Sequence, residues 1–271
     1  MSDGVETNAS ATSEPTLGGE EMHIHKPKAT HGVREFLSEI GVIVVGVLIA
    51  LAAEQLVELA TWREQSRLTE EALNQELVLA ATQSVERIAV AQCLSDRIEH
   101  LTGKLRQQDL AWRADPMLVN AQLAEAVKLA TPAAYRAPSR EWYTGAWETA
   151  KASGVLNHMP RNTVAGYTKI YAEIEIERQT ETFEFQTAPE LAYLSFDTEL
   201  DPQARRQAVS TLGKLDSANG NLVQGGRQIL DRIKAMHLNF DRRGVATQVR
   251  EALAVQRAFR GSCVRDVVAD I

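Results

Sequence analysis

The feature that most constrains this chain is an apolar segment near its N-terminus, EIGVIVVGVLIALAAEQ at residues 39–55. Fourteen uncharged residues, Ile40–Ala53, lie between two glutamates. As a helix they would rise only about 21 Å, less than the roughly 30 Å hydrocarbon core of a bilayer. Adding a turn at each end gives Phe36–Val57, about 33 Å long. Glu39 and Glu54 would then lie near the headgroups, where a carboxylate costs far less than at mid-membrane. The segment therefore predicts a single transmembrane helix.

This predicted helix, assigned to residues 33–60, divides the chain into three parts. Residues 1–32 contain few large apolar side chains and are predicted to form a disordered cytoplasmic tail. Residues 61–271 are predicted to form a periplasmic helical domain. Trp62 would be an aromatic anchor at the interface. The predicted location is the bacterial inner membrane, with the N-terminus in the cytoplasm. This orientation is based on a slight excess of basic residues before the span (Lys26, Lys28, Arg34) over those after it (Arg63, Arg67).

Two other interpretations of the apolar segment remain open. Ala50-Leu51-Ala52 fits the small-residue pattern of a signal-peptide cleavage site. Against cleavage, the preceding segment is long, contains acids as well as bases, and the helical pattern continues past the site. A buried helix of a soluble protein is the third interpretation.

Small residues along the span indicate a packing surface. At 100° per residue, Gly46, Ala50 and Ala53 share one face, and Gly46 with Ala50 forms a small-xxx-small pair that lets helix backbones approach closely. A homodimer through the span or the following long helix is the functional interpretation. The alternative is that glycine and alanine are simply common in membrane spans.

The composition favours an all-α protein and excludes some partners. Ala, Leu, Glu, Gln and Arg, the strong helix formers, dominate the sequence. A net charge of −7 without a basic stripe argues against nucleic-acid binding. We find no catalytic, cofactor or metal motif, so we expect a protein that is not an enzyme and has no cofactor.

Helix is predicted to continue without a break from the membrane to about residue 106. There is no proline between Pro27 and Pro116, and no glycine between Gly46 and Gly103. Beyond the span, residues spaced alternately by three and four predict a seam in a helical bundle or a coiled coil, with polar interruptions at Ser84 and Arg87. The seam comprises Leu73, Leu77, Ala80, Ser84, Arg87, Ala91, Leu94, Ile98, Leu101 and Leu105.

Five further helices follow from capping residues and apolar spacing. They are predicted at residues 114–132, 138–154, from about 161 to 189, from 202 towards 240, and 245–259. Asp115, Ser139 and Asp201 would cap the first, second and fourth. Gly220 and Gly225-Gly226 are candidate interruptions of the fourth helix.

Inside the third of these helices, EIEIERQTETFEFQ at residues 173–186 alternates with period two and could be a strand. Helix is preferred because apolar residues just upstream keep helical spacing. The segment contains five carboxylates, which we interpret as a solvated helix face rather than a metal site or an acid–base pair. They are Glu173, Glu175, Glu177, Glu181 and Glu184.

The two cysteines, Cys93 and Cys263, predict a disulfide if the domain is in an oxidising compartment. It would join the C-terminal region to the long first helix. The alternative, for a cytoplasmic domain, is two separate buried thiols.

A second group of residues predicts either a pocket or a partner surface. Trp142, Tyr143, Trp147, His158 and Met159 fall within one short stretch of the sequence. Such residues could line a binding site, and they could equally fill a helical core.

Four segments resemble those of a family of uncharacterised bacterial single-pass inner-membrane proteins. They are HGVREFLSEIGVIVVGVLIALAAEQLVE at residues 31–58, CLSDRIEHL at 93–101, ASGVLNHMP at 152–160 and GSC at 261–263. The resemblance implies an anchored, exported helical domain and implies no activity.

Two functions remain as hypotheses. The first is protein–protein interaction or scaffolding at the membrane, with the bilayer and an unidentified protein as partners. The second is a periplasmic ligand-binding or sensory domain that uses an aromatic pocket around Trp142–Met159.

Overall fold

The computed structural model describes residues 32–107, 111–117, 133–237 and 242–267. The α-helices in these ranges are α1 Val33–Arg106, α2 Gly145–Ser153, α3 Arg161–Thr187, α4 Pro202–Ala235 and α5 Arg242–Arg260. Short 3₁₀ helices lie at Val155–His158, Ala188–Ser195 and Gly261–Cys263. The chain is therefore mostly helical, and the predicted all-α class is confirmed. One small addition is an antiparallel pair of two-residue strands, β1 Ala111–Trp112 and β2 Thr198–Glu199.

The chain forms two compact units, one up to Leu56 and one from Val57. The described part of the first unit is helical from Val33 and exposed throughout. Its most apolar 18-residue window has a mean hydropathy of 2.5, and none of that window is buried. A membrane span or a signal sequence has these properties. The interpretation as a buried helix of a soluble protein does not fit, because a core helix would be covered by the rest of the chain.

In the second unit, α1 contributes its predicted seam to the interior. Nine of the ten seam residues are buried, Ala91 being the exception. The spacing of three and four places these residues on one helix face, and burying that face stabilises a helix far more than its intrinsic propensity does.

The interior contains two apolar clusters. The upper cluster combines the later part of α1 with residues of α4, α5 and the 3₁₀ helix at Ala188–Ser195; its centre includes Leu94, Leu101, Leu191, Leu212 and Val249. The lower cluster combines the earlier part of α1 with α2, α3 and the end of α4; its centre includes Leu73, Leu77, Trp147, Ile170 and Ile229. Because the order of the two clusters along α4 is the reverse of that along α1, α4 runs antiparallel to this part of α1.

Most helix ends agree with the predicted ones. α3, α4 and α5 lie close to the predicted ranges, and the Asp201 carboxylate caps α4 by accepting hydrogen bonds from the backbone N–H groups of Gln203 and Ala204, both at 2.8 Å. α4 has no interruption at either glycine site. Gly154 ends α2 with φ of 75°, a left-handed conformation that glycine adopts without strain.

Two predicted helix starts are wrong. α2 begins at Gly145, not at Pro138, because Arg140 and Trp142 in the preceding segment bind buried carboxylates instead of continuing a helix. Residues 114–117 are not helical, and the Asp115 carboxylate pairs with Arg97, at 2.6 Å, and Lys104, at 2.6 Å, instead of capping a helix. The remainder of that predicted helix, residues 118–132, lies outside the described residues.

Candidate functional site

Three of the five carboxylates in the acidic segment of α3 lie inside the protein. The interpretation of its five carboxylates as a solvated face is wrong for Glu177, Glu181 and Glu184, which are all buried. The physical reason is their spacing. Tyr167, Ile170, Ile174, Glu177, Glu181 and Glu184 follow one another in steps of three and four. The three glutamates therefore continue the buried apolar stripe of α3.

A charged and polar layer lies between the two apolar clusters, and its centre is the ion pair of Arg87 and Glu184. Two hydrogen bonds join the guanidinium and the carboxylate, at 2.7 and 2.6 Å, and both side chains are at most 5% exposed. The Tyr135 hydroxyl donates to the same carboxylate at 2.7 Å. Asn219 accepts from Arg87 at 3.2 Å and donates to the Ala91 carbonyl at 3.1 Å. α1, α3 and α4 are thus joined through one buried network.

A second ion pair joins Arg140 to Glu86, with distances of 2.8 and 2.6 Å between guanidinium nitrogens and carboxylate oxygens. Glu86 is 1% exposed. The side-chain amide of Gln256 on α5 donates to the same carboxylate at 2.7 Å. This pair and the bond from Gln256 therefore join the segment before α2 and helix α5 to α1.

Glu181 lies between these two ion pairs and accepts only neutral donors in the described part of the chain. The backbone N–H of Arg140 donates to one carboxylate oxygen, and Trp142 Nε1 donates to the other at 2.8 Å. These bonds hold the non-helical segment before α2 against α3. Burial raises the pKa of the Glu181 carboxyl above its usual range, and the two hydrogen bonds only partly oppose this effect.

Glu177 lies one helical turn further from the cleft and is the least satisfied carboxyl of the layer. It is 1% exposed, and its Oε2 atom has no hydrogen-bond partner among the described residues. Burial raises its pKa to about 8; Arg87 opposes the increase, while Glu173 and Glu181 add to it. The carboxyl lies against Gly225 of α4, where a Cβ atom would come within 1.9 Å of Glu177 Oε1.

Arg260, at the end of α5, makes no ion pair within the described ranges. One of its terminal nitrogens donates to the Arg136 carbonyl at 2.8 Å, and the other donates to the side-chain oxygen of Gln256. Its Nε atom is buried without a partner. Burial lowers the pKa of the guanidinium to about 10, so the side chain is still charged at neutral pH.

Part of this layer lines the floor of a cleft of about 670 Å³; Arg87, Glu86 and Glu177 are not among the lining residues. The cleft is bounded by the segment at residues 133–140, by α3 and the 3₁₀ helix after it, and by the end of α5. Polar lining groups are Tyr135, Arg136, Ser139, Arg140, Glu181, Glu184, Gln256 and Arg260; apolar ones include Phe185, Ala188, Pro189, Ala192, Val255 and Phe259. Phe185 and Val255 are 66% and 44% exposed, so a sizeable part of the apolar wall is open to solvent. Apolar walls around a few converging polar groups are the usual properties of a small-molecule site.

The aromatic group predicted as a pocket or partner surface lies elsewhere. Trp142, Trp147 and Met159 are buried in the lower apolar cluster. Tyr143 is 47% exposed. None of the five residues of this group lines the cleft, although Trp142 contributes its Nε1–H to Glu181 on the cleft floor.

Trp62, predicted as an interface anchor, stacks on His158. The ring centroids are 3.8 Å apart and the rings are almost parallel. Its Nε1 donates to Glu58 at 3.2 Å. The loop after α2 is therefore in contact with the part of α1 that follows the apolar segment. Gly46, Ala50 and Ala53 are exposed, and their role in helix packing stays a prediction.

Cys93 on α1 and Cys263 lie at disulfide distance, as the sequence led us to expect. Their Cα atoms are 5.4 Å apart, and the pair spans 170 positions of sequence. Within the described residues, no group of three His, Cys, Asp or Glu side chains is placed to hold a metal ion.

No family model, curated protein or solved structure matches this chain. The resemblance to single-pass inner-membrane proteins therefore stays a prediction.

Proposed function

We propose that this protein is a membrane-anchored binding protein whose helical domain takes a small ligand into the cleft beside Arg260. The observation that carries the proposal is the combination of an open apolar wall with a buried floor on which one guanidinium lacks an ion pair. The proposal assigns the protein no catalysis.

The sequence alone favoured scaffolding over ligand binding. The cleft supports the ligand-binding alternative, but at a different place from the one predicted. Trp142 and Trp147 are core residues of the lower cluster. The cleft, at about 670 Å³, is within the size range of sites that enclose drug-sized molecules.

The location forms part of the same proposal. The apolar segment of α1 supports a retained membrane anchor, with the N-terminal tail in the cytoplasm and the helical domain in the periplasm. An exported domain would also suit the Cys93–Cys263 pair, since disulfides persist in oxidising compartments.

A fragment screen on the full-length protein in lipid nanodiscs tests whether the cleft binds ligands. Saturation-transfer NMR would record which of a few hundred soluble fragments bind the wild type. Ala192→Trp places a large side chain at an exposed position of the cleft wall and should abolish most of this binding. Ala172→Trp, at an exposed position of α3 away from the cleft, is the matched control and should retain it. Equal binding by wild type and Ala192→Trp, or no fragment binding at all, would contradict the proposal.

A further inference from the structure

The charge balance of the cleft floor indicates what kind of ligand it takes. Glu184 is neutralised by Arg87, and Glu86 is neutralised by Arg140. Within the described residues, Arg260 has no carboxylate partner. A guanidinium has five N–H donors, and the structure shows two of them in use, both on neutral acceptors.

The buried Nε–H of Arg260 also lacks a hydrogen-bond partner among the described residues. A buried N–H without a partner is costly, and native proteins leave few of them. The edge formed by Nε and one terminal nitrogen of arginine matches the two oxygens of a carboxylate. A carboxylate bound at the Arg260 guanidinium would therefore supply the negative charge that this side chain lacks.

The other carboxyls of the floor restrict the charge of the ligand to a single unit. Glu181 and Glu184 line the same cleft, so a dianion would leave excess negative charge in a poorly solvated place. The raised pKa of Glu181 favours its neutral form and lessens its repulsion of one bound anion.

The walls determine the rest of the ligand. Phe185, Val255 and Phe259 present apolar surface beside the guanidinium. Covering that surface removes apolar area from water, which favours binding of an apolar group joined to the anion.

We propose that the cleft binds a monoanionic amphipath, with a carboxylate on Arg260 and an apolar chain or ring against Phe185 and Phe259. This inference rests on the proposed function and names the ligand class of the same site.

Three compounds with one skeleton test it: 3-phenylpropionate, 3-phenylpropanol and 3-phenylpropylamine. Dissociation constants are measured by saturation-transfer titration at pH 7 on the full-length protein in nanodiscs. We expect the acid to bind roughly ten- to a hundredfold more tightly than the alcohol, which is the usual contribution of a hydrogen-bonded charge. The amine should bind more weakly than the alcohol.

Arg260→Gln should reduce the affinity for the acid to that for the alcohol, and Arg260→Lys should retain part of the difference. The affinity for the alcohol shows that the cleft of each variant is intact. Arg257→Gln is the matched control, because Arg257 is on the same helix and pairs with Asp266 at the surface. It should leave all three affinities unchanged.

The outcomes separate the inference from the proposed function. If all three compounds bind equally, and Ala192→Trp abolishes their binding, the cleft is a binding site but the carboxylate inference is wrong. A preference for the acid that survives Arg260→Gln would also overturn it. If none of the compounds and none of the screened fragments binds in a manner sensitive to Ala192→Trp, the proposed function itself fails.

Discussion

At the scale of single residues, the buried charges of this protein differ in how well they are compensated. Arg87 and Glu184 lose almost all contact with water, yet two mutual hydrogen bonds and the Tyr135 hydroxyl replace that solvation. Burial acts to lower the pKa of Arg87, but the adjacent carboxylate outweighs it and the pKa is raised. Glu177 has no such partner. Its neutral form is therefore the one that the fold stabilises.

This difference predicts a pH dependence of stability. A carboxyl whose pKa rises from 4.5 to about 8 on folding binds its proton more tightly in the folded state. Its stabilising contribution to the free energy of unfolding is complete below pH 4.5. This contribution is lost as the pH rises towards 8, at up to about 1.4 kcal/mol per pH unit. The free energy of unfolding of the wild type should therefore fall between pH 5 and 8 more steeply than that of Glu177→Gln. Urea denaturation of the full-length protein at several pH values measures both slopes.

Glu175→Gln is the control for this prediction. Hydrogen bonds from Arg178 and Gln179 hold the pKa of Glu175 at about 2, so its contribution is lost only in acid. Its profile between pH 5 and 8 should parallel that of the wild type. Parallel profiles for the wild type and Glu177→Gln would show that Glu177 does not bind a proton on folding.

At the scale of elements, α4 owes its close approach to α3 to Gly225, one of the glycines that the sequence suggested as interruptions. A Cβ atom at Gly226 would lie 3.4–3.5 Å from Ser84 of α1, and one at Gly225 would overlap the Glu177 carboxyl. A Cβ atom at Gly226 would thus make ordinary van der Waals contact with α1, whereas at Gly225 the missing side chain lets α3 approach the backbone of α4. Helix packing outweighs the poor helix propensity of glycine at Gly225.

Alanine substitutions on α4 should consequently have opposite effects at two sites. Gly220 is exposed, and a Cβ atom there would meet nothing within 4 Å, so Gly220→Ala should raise the free energy of unfolding by up to about 1 kcal/mol. Gly225→Ala must displace Glu177 and should lower it by about 1–3 kcal/mol. In a Glu177→Ala background, Gly225→Ala should lower the free energy of unfolding much less. Chemical denaturation of the four variants measures the coupling, and additive effects would disprove the contact.

The helices were largely predictable from the sequence, whereas the cleft was not. Proline and glycine placement and spacings of three and four identified α1, α3, α4 and α5, since these signals are local. The solvated face predicted for the buried carboxylates of α3 was wrong. Their partial i, i+2 alternation obscures their spacing of three and four, which continues that of Ile170 and Ile174 and would have predicted their burial. The lack of an ion pair at Arg260 could not be predicted from the sequence, because it depends on which carboxylates pair with Arg87 and Arg140 in the folded protein.

At the scale of the whole molecule, a polar layer between two apolar clusters restricts how the helices can pair. A shift of α3 along α1 would separate Arg87 from Glu184 and leave buried charges uncompensated, at a cost of about 3–5 kcal/mol. Apolar clusters alone tolerate such shifts better. Arg87 and Glu184 therefore define the register of the two helices as well as stabilising their contact.

Thiol labelling in intact cells tests the proposed location together with the cysteine pair. A membrane-impermeant maleimide is applied to spheroplasts that carry the full-length protein, with and without prior reduction. We expect membrane-bound protein that is labelled only after reduction, because an exported domain would hold Cys93 and Cys263 as a disulfide. A Cys93→Ser, Cys263→Ser variant is the control and should remain unlabelled. Labelling that requires lysis would place the domain in the cytoplasm, and a shortened soluble product would identify the apolar segment as a signal peptide.

A disulfide between Cys93 and Cys263 would also determine how the molecule carries mechanical tension. If the anchor were held and the chain pulled from residue 267, force would pass along α1 to Cys93 and cross directly to Cys263. The residues between the two cysteines, which include α3, α4 and the cleft, would lie outside this path. Pulling would then stretch only the segments before Cys93 and after Cys263, and a bound ligand would not experience the load.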